Sequence, residues 1–147
     1  MTHVVRDADF EARIRASFAK QAFMATIGAR LERVAPGEVD IALPFRTDLT
    51  QQNGFLHAGV VTSVVDSACG YAALSVMEPG ADVLSVEFKV NLLAPAQGAE
   101  FLARGRVVRS GRTLVVVSGE MRAGETVVAL MQGTMIARSS PPDSLTV

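Results

Sequence analysis

The chain has 147 residues, 49% of them apolar, with a net charge of −1 and a single cysteine. That length suits one domain with a core that needs no staples, and the apolar content excludes a disordered chain. The near-neutral charge excludes an electrostatic nucleic-acid binder, and the lone Cys69 excludes an intrachain disulfide and points to a reducing compartment.

Met1 to Phe10 carries Arg6, Asp7 and Asp9 and lacks the apolar core of a signal peptide, so the expected location is the cytoplasm. Phe10, Ile14, Phe18 and Ala22 recur every four residues, which predicts an amphipathic surface helix over about 7–24, capped by Asp7 or Asp9. Two alternating runs follow, Ile27-Ala29-Leu31 and Val39-Ile41-Leu43. Pro36-Gly37 between them makes a hairpin, and Pro44 ends the second strand. Residues 46–57 are polar and turn-like and lead into a long apolar helix at about 59–77, stopped by Pro79-Gly80. The stretch Ala58 to Met77 is long enough to span a bilayer, but Asp66 near its middle argues for a buried helix instead.

Four strands complete the pattern. Along the first, Leu84, Val86, Phe88, Val90 and Leu92 alternate with Ser85, Glu87, Lys89 and Asn91, so the apolar set is expected to face the core. Strands at about 100–109, 112–122 and 125–137 form a meander, with Ser110-Gly111 and Ala123-Gly124 at the turns. The core runs over about 25–137, and the tail 139–147, with Pro141-Pro142, is expected to fray. The whole reads as one α+β domain over 1–147, a curved antiparallel sheet wrapped around a long central helix.

Between Asp48 and Glu78 the only charged residue is Asp66. A carboxylate in such surroundings is costly without partners, and desolvation raises its pKa. One or two turns away stand Gly59, Thr62, Ser63, Cys69, Gly70 and Ala73, a stripe of small residues that lets a ligand or a second subunit approach. Position alone is equally compatible with an Asp that only fixes packing. Just ahead of the helix lie Gln51, Asn53 and His57, then Ala58-Gly59. A helix start offers free N–H groups and a positive dipole end to a carbonyl oxygen that becomes negative during acyl transfer. His57 and Asn53 also suit plain helix capping.

The segment QQNGFLHAG, with Asp66 nine positions beyond His57, resembles the His-Gly-Gly loop and helical acid of hotdog-fold acyl-CoA thioesterases, in the phenylacetate-degradation-type and 4-hydroxybenzoyl-CoA-type branches. The resemblance implies a hotdog fold and hydrolysis of an acyl-CoA thioester. The Ala58 N–H would polarise the thioester carbonyl, and Asp66 would activate water or attack the carbonyl directly. Gln51 would orient water or substrate, His57 would orient the loop, and Ser85 would stand near the attacking water. Asn53, Gly59, Ser67, Ser85 and Arg112 make up the expected substrate contacts. Arg104, Arg106, Arg109 and Arg112 are candidates for the phosphates of coenzyme A, and they equally suit a solvated strand face. Ala58 stands where the family motif has Gly. Coenzyme A enters only as part of the substrate. No cofactor, metal site, nucleic acid or membrane partner is expected, since His3 and His57 are the only histidines.

Ala58 and Asp66 are eight residues apart, about 12 Å along a helix. One carbonyl cannot touch both if reacting atoms lie within about 3–3.5 Å. If both act on it, they come from two copies, so a homodimer is expected; the resemblance implies the same dimer, often doubled to a homotetramer. Two other readings stay open. One is a hotdog dehydratase or hydratase, and the other is a non-catalytic acyl-CoA-binding protein.

Overall fold

The computed structural model describes residues 2–139. The N-terminal segment forms two helices where the periodicity predicted one: α1 (Phe10–Ala19) and α2 (Ala22–Ile27). Gln21 adopts an extended conformation (ψ 94°) between them. Ile14 is fully buried, Phe10 and Phe18 pack partly against the core, and Ala22 is exposed. The break re-aims the chain so that Met24 and Ile27 reach the core instead. Gly28, at φ 79°, ends α2 in the left-handed conformation that only glycine adopts cheaply, with the Ala29 N–H closing on the Met24 carbonyl at 2.9 Å. Ile27 therefore belongs to a helix and not to the first strand.

Strands β1 (Arg30–Ala35) and β2 (Glu38–Pro44) form the hairpin expected around Pro36-Gly37. Then come the central helix α3 (Ala58–Leu74) and strands β3 (Ala81–Leu92), β4 (Glu100–Ser110), β5 (Leu114–Ala123) and β6 (Thr126–Ser139). The six strands make one antiparallel sheet in the order β1-β2-β4-β5-β6-β3. The predicted meander is β4-β5-β6. Ser139, expected to fray, is the last residue of β6, and the remainder of the tail lies outside the described residues.

Helix α3 packs on the sheet through Val61, Val64, Val65, Ala68, Cys69 and Ala72. Gly105 and Gly119 face each other across β4 and β5 beneath it. A Cβ at Gly105 would collide with the backbone of Ala68 and Cys69, and one at Gly119 would stand 2.6 Å from Cys69 Sγ and Val65 Cγ1. The glycine pair is what lets the helix lie this close to the sheet. Cys69 and Ala73 are buried in this contact, so the small-residue stripe around Asp66 is not one open surface: part of it faces the sheet.

The helix stops at Leu74, three residues earlier than expected, well before Pro79-Gly80. Ser75 Oγ donates to the Ala72 carbonyl and accepts the Gly37 N–H at 2.7 Å. Arg13 of α1 donates to the carbonyls of Leu74 (3.1 Å), Met77 (3.3 Å) and Glu78 (2.8 Å), placing a cation at the negative end of the helix. Arg13 Nε lies 3.1 Å from Asp7 Oδ2, an ion pair without hydrogen-bond alignment. Among the described residues no helix is long and apolar enough to cross a membrane.

Strand β3 corrects the simple alternation. Its register against β6 shifts between Ser85 and Glu87, so Val86 is a bulge residue. Ser85 pairs with the buried Met135, and Phe88, Val90 and Leu92 pair with Gly133, Met131 and Ala129 on the helix side of the sheet. Leu84 pairs with Ile136 on the opposite side. Most of the apolar set expected in the core is in fact exposed, with Val86 at 56%, Leu92 at 53% and Leu84 at 49%. The reason is position: β3 is an edge strand, and among the described residues nothing covers its outer side.

Candidate active site

Two groups of candidate residues lie at separate places on α3. The first is at its N-terminus. The loop before it is pinned by the His57 N–H to Leu49 O (2.9 Å), Leu56 N–H to Ala96 O (3.1 Å) and Gln51 N–H to Phe55 O (2.8 Å). Gly54, at φ 84°, makes the turn. Gln51 Oε1 accepts the N–H groups of Asn53 (2.5 Å) and Phe55 (3.4 Å), so this side chain braces its own loop through its oxygen. His57 is the N-cap: its Nδ1 accepts the Gly59 N–H at 2.8 Å, and its carbonyl accepts from Val60 and Val61. With Nδ1 accepting, the ring proton sits on Nε2. Ala58 is left as the one residue of this turn whose N–H no acceptor takes among the described residues. It opens on a cleft of about 370 Å³ lined by Gln51, Phe55, Val61, Leu92, Pro95 and Val128.

The second group surrounds Asp66. The carboxylate is half-buried, and Ser85 Oγ donates to its Oδ1 at 2.7 Å. Burial raises its pKa above the usual aspartate value, and the Ser85 hydrogen bond offsets part of that rise. The Val86 bulge is what turns Ser85 inward to reach it. Asp66 lines a separate cavity of about 320 Å³ with Ser67, Gly70, Tyr71, Val83 and Ser85. Ser17 and Gln21, from α1 and the α1–α2 junction, complete its wall.

The sequence-predicted residues therefore divide. Gln51 and Ala58 share the first cleft, while Asp66, Ser67 and Ser85 share the second. Gly59 has its N–H committed to His57, and Asn53 is exposed on the turn outside the cleft lining. Arg112 is exposed in the β4–β5 turn and touches neither group. The four arginines do not converge. Arg104 and Arg106 line a groove on the outer face of the sheet, Arg109 a cleft beside His3, and Arg112 a third place. Sequence reasoning missed Ser17 and Gln21. Their i, i+4 spacing beside Phe18 was the available signal. Among the described residues no cluster of three or more His, Cys, Asp or Glu is arranged to hold a metal.

An antiparallel sheet wrapped around a central helix is the hotdog fold. Across 89% of this chain and 99% of the other, it matches the crystal structure of a thioesterase family protein from Silicibacter pomeroyi, with 50% sequence identity and a TM-score of 0.86. The family model described as "Thioesterase superfamily" matches residues 53–130, and the chain belongs to that superfamily. Human acyl-coenzyme A thioesterase 13 is 29% identical over 104 residues, 70% of this chain and 74% of that protein. A Saccharolobus solfataricus esterase-type relative is 34% identical over 86 residues, 58% of this chain, and the match spans only 61% of that relative's length.

Proposed function

We propose that the protein hydrolyses an acyl-CoA thioester at a site made by two copies of the chain. The observation that carries this reading is the separation of the two half-sites. The open Ala58 N–H and the desolvated Asp66 carboxylate lie about 12 Å apart along one helix, in different cavities. Neither half can transform a thioester by itself.

Strand β3 supports the same reading. It is 12 residues long, it lies at the sheet edge, and it carries exposed Leu84, Val86, Phe88 and Leu92. A long apolar edge of this kind is an invitation to pair with another chain. Residues 82–85 line the Asp66 cavity, and Leu92 and Leu93 line the Ala58 cleft. Antiparallel pairing of two β3 strands centred near Phe88 would set the Asp66 cavity of one copy beside the Ala58 cleft of the other. Such an interface is isologous and closes as a dimer.

In this reading the thioester carbonyl oxygen accepts the Ala58 N–H, and Gln51 holds the loop that presents it. Ser85 occupies Oδ1 of Asp66, leaving Oδ2 to take a proton from water. The resulting hydroxide forms the new C–O bond, and negative charge gathers on the carbonyl oxygen against the N–H and the helix dipole. When the C–S bond breaks, the proton on Asp66 goes to the departing thiolate. A carboxylate with a raised pKa is the stronger base for this step. Direct attack by Asp66, giving an anhydride that water then opens, uses the same geometry.

A thiol-release assay over short, medium, long-chain and aromatic acyl-CoAs tests the proposal. Turnover that falls about a hundred- to ten-thousandfold in Asp66→Ala, with the fold retained, is the expected result. Undiminished kcat in that variant, or a fully active monomer, would remove the reading. Hydration of an enoyl-CoA without CoA release would replace it with a hydratase.

A further inference from the structure

We infer that Met135, opposite Ser85 in the sheet, is a positioning residue for Asp66: its thioether shares the single proton of the Ser85 hydroxyl and so governs how firmly that hydroxyl holds the carboxylate. The inference rests on Asp66 being the base of the proposed hydrolysis.

Ser85 Oγ has one proton and two acceptors. It lies 2.7 Å from Asp66 Oδ1 and 3.3 Å from Met135 Sδ, and a hydroxyl donates to one of them fully or to both in part. The contact is built into the sheet. Ser85 and Met135 pair directly across β3 and β6, and the register shift after Ser85 puts both side chains on the helix side. Met135 is fully buried, so its sulfur is shut off from solvent. Met24, Met77, Met121 and Met131 are buried as well, yet among the described residues no hydrogen bond reaches their sulfur atoms. The polar contact of Met135 is therefore particular to its place beside Ser85.

The sharing has a direction. While Asp66 is ionised, its charged oxygen takes the larger part of the hydroxyl proton, and the sulfur, a weak acceptor, takes the remainder. Whatever the sulfur takes weakens the bond that steadies the carboxylate, so Asp66 stays a stronger base. Once Asp66 has accepted a proton from water, its pull on Ser85 loosens, and the sulfur is the acceptor to which the hydroxyl turns. Met135 thus eases the protonation of a carboxylate that must act as base first and as acid to the thiolate afterwards. The other titratable groups facing Asp66 are Cys69 on its own helix, kept neutral because burial pushes its thiol up to about 12, and Tyr71 and Asp82 on the cavity wall. The N-terminal helices present Ser17 and Gln21 there, which do not titrate.

The experiment follows the Asp66 carboxyl carbon by NMR across pH in the intact protein, the resonance being assigned by its loss in Asp66→Asn. It is paired with the pH profile of kcat/KM for an acyl-CoA from the thiol-release panel. Met135→Leu conserves volume in the core and should lower the proton affinity of Asp66 about three- to tenfold, the weight of one modest hydrogen bond. The acid limb of kcat/KM should move to lower pH by the same factor. On the plateau kcat should fall about two- to threefold, as a weaker base requires, with KM unchanged. In a Ser85→Ala background the exchange should do nothing, since the hydroxyl that links the two groups is gone. If Met135→Leu does not fold, growth with norleucine in place of methionine trades each sulfur for a methylene at nearly constant shape and should lower the affinity likewise. An unchanged titration in either protein overturns the inference, and so does an equal shift with and without the Ser85 hydroxyl. A titration that moves as expected in a protein inert towards every acyl-CoA supports the Met135 contact and overturns the thioesterase reading.

Discussion

Replacing Ala58 with proline removes one hydrogen-bond donor and almost nothing else. Ala58 is the first residue of α3, the position at which a helix accepts proline because no internal bond depends on its N–H. The residue ahead, His57, has φ −60° and ψ 137°, within the extended range that a following proline imposes. Gly59, Val60 and Val61 keep their bonds to His57. Stability should therefore hold, or rise by up to about 1 kcal/mol through a stiffer unfolded chain. If the Ala58 N–H stabilises the oxyanion, kcat should fall about a hundred- to a thousandfold, equivalent to roughly 2.7–4 kcal/mol. Thiol release at saturating acyl-CoA and a thermal melt read the two quantities on one sample. A stable Ala58→Pro protein with wild-type kcat would refute the oxyanion role.

The same variant tests whether the site is shared. A mixed dimer of Ala58→Pro and Asp66→Ala chains has one site with both groups intact and one with neither. Equal amounts, refolded together, give mixed dimers as about half the population, and so about a quarter of wild-type activity for an isologous pair. If one chain held both groups of a site, mixing would recover nothing.

Asp66→Asn should raise the melting temperature at neutral pH. Burial lifts the folded pKa of Asp66 above its unfolded value, so the stability linked to its protonated form is fully present below the ordinary carboxylate range. That stability is lost as pH rises through the raised folded pKa, and the advantage of Asn should accordingly vanish in acid; melts across pH that show a constant offset would contradict this. Arg13→Ala should cost about 1.5–3 kcal/mol, as expected for charged hydrogen bonds, because the carbonyls of Leu74, Met77 and Glu78 lose their donor; urea unfolding gives the value. Gly105→Ala should cost roughly 1–3 kcal/mol or more by forcing α3 off the sheet, since the new methyl meets the backbone of Ala68 and Cys69. An unchanged denaturation midpoint would show that the helix is not seated there.

The order of elements and the Asp66 helix were legible because each rests on local pattern: apolar periodicity, turn dipeptides and a single charge in an oily stretch. What the sequence reading placed wrongly depended on contacts far away in the chain. The single N-terminal helix fails at Gln21 because Tyr71, fifty residues on, draws that side chain down. The long helix stops short because Arg13 and Ser75 supply its end before Pro79 can. The arginines of β4 and its turn are neighbours in sequence only, since successive positions on a twisted strand and hairpin open onto different faces and ends of the sheet. The loop residues were found as a group, and the resemblance gave Ala58, Gln51 and His57 their expected roles, but it did not show that the Gly59 N–H is already committed. Whether an N–H is open to a ligand or taken by His57 Nδ1 is decided by backbone geometry, and Ala58 and Gly59 differ in nothing else that a pattern can read.

The bulge at Val86 joins the sheet to the chemistry. Strict alternation, as the sequence suggests, would put Ser85 on the same side as Glu87, Lys89 and Asn91, away from α3. Asp66 would then be a half-buried carboxylate without a donor, its pKa raised further by the loss of the hydrogen bond that now lowers it. One extra residue in β3 reverses the direction of Ser85 while leaving Phe88, Val90 and Leu92 on the helix side. Bulges are placed where a side chain must be re-aimed, and they also twist the strand that carries them. Here the twisted strand is the apolar edge that a second copy would cover. The residue that completes the Asp66 half-site and the strand proposed to recruit the other half are therefore parts of one local distortion. Straightening β3 by deleting Val86 would disturb both together.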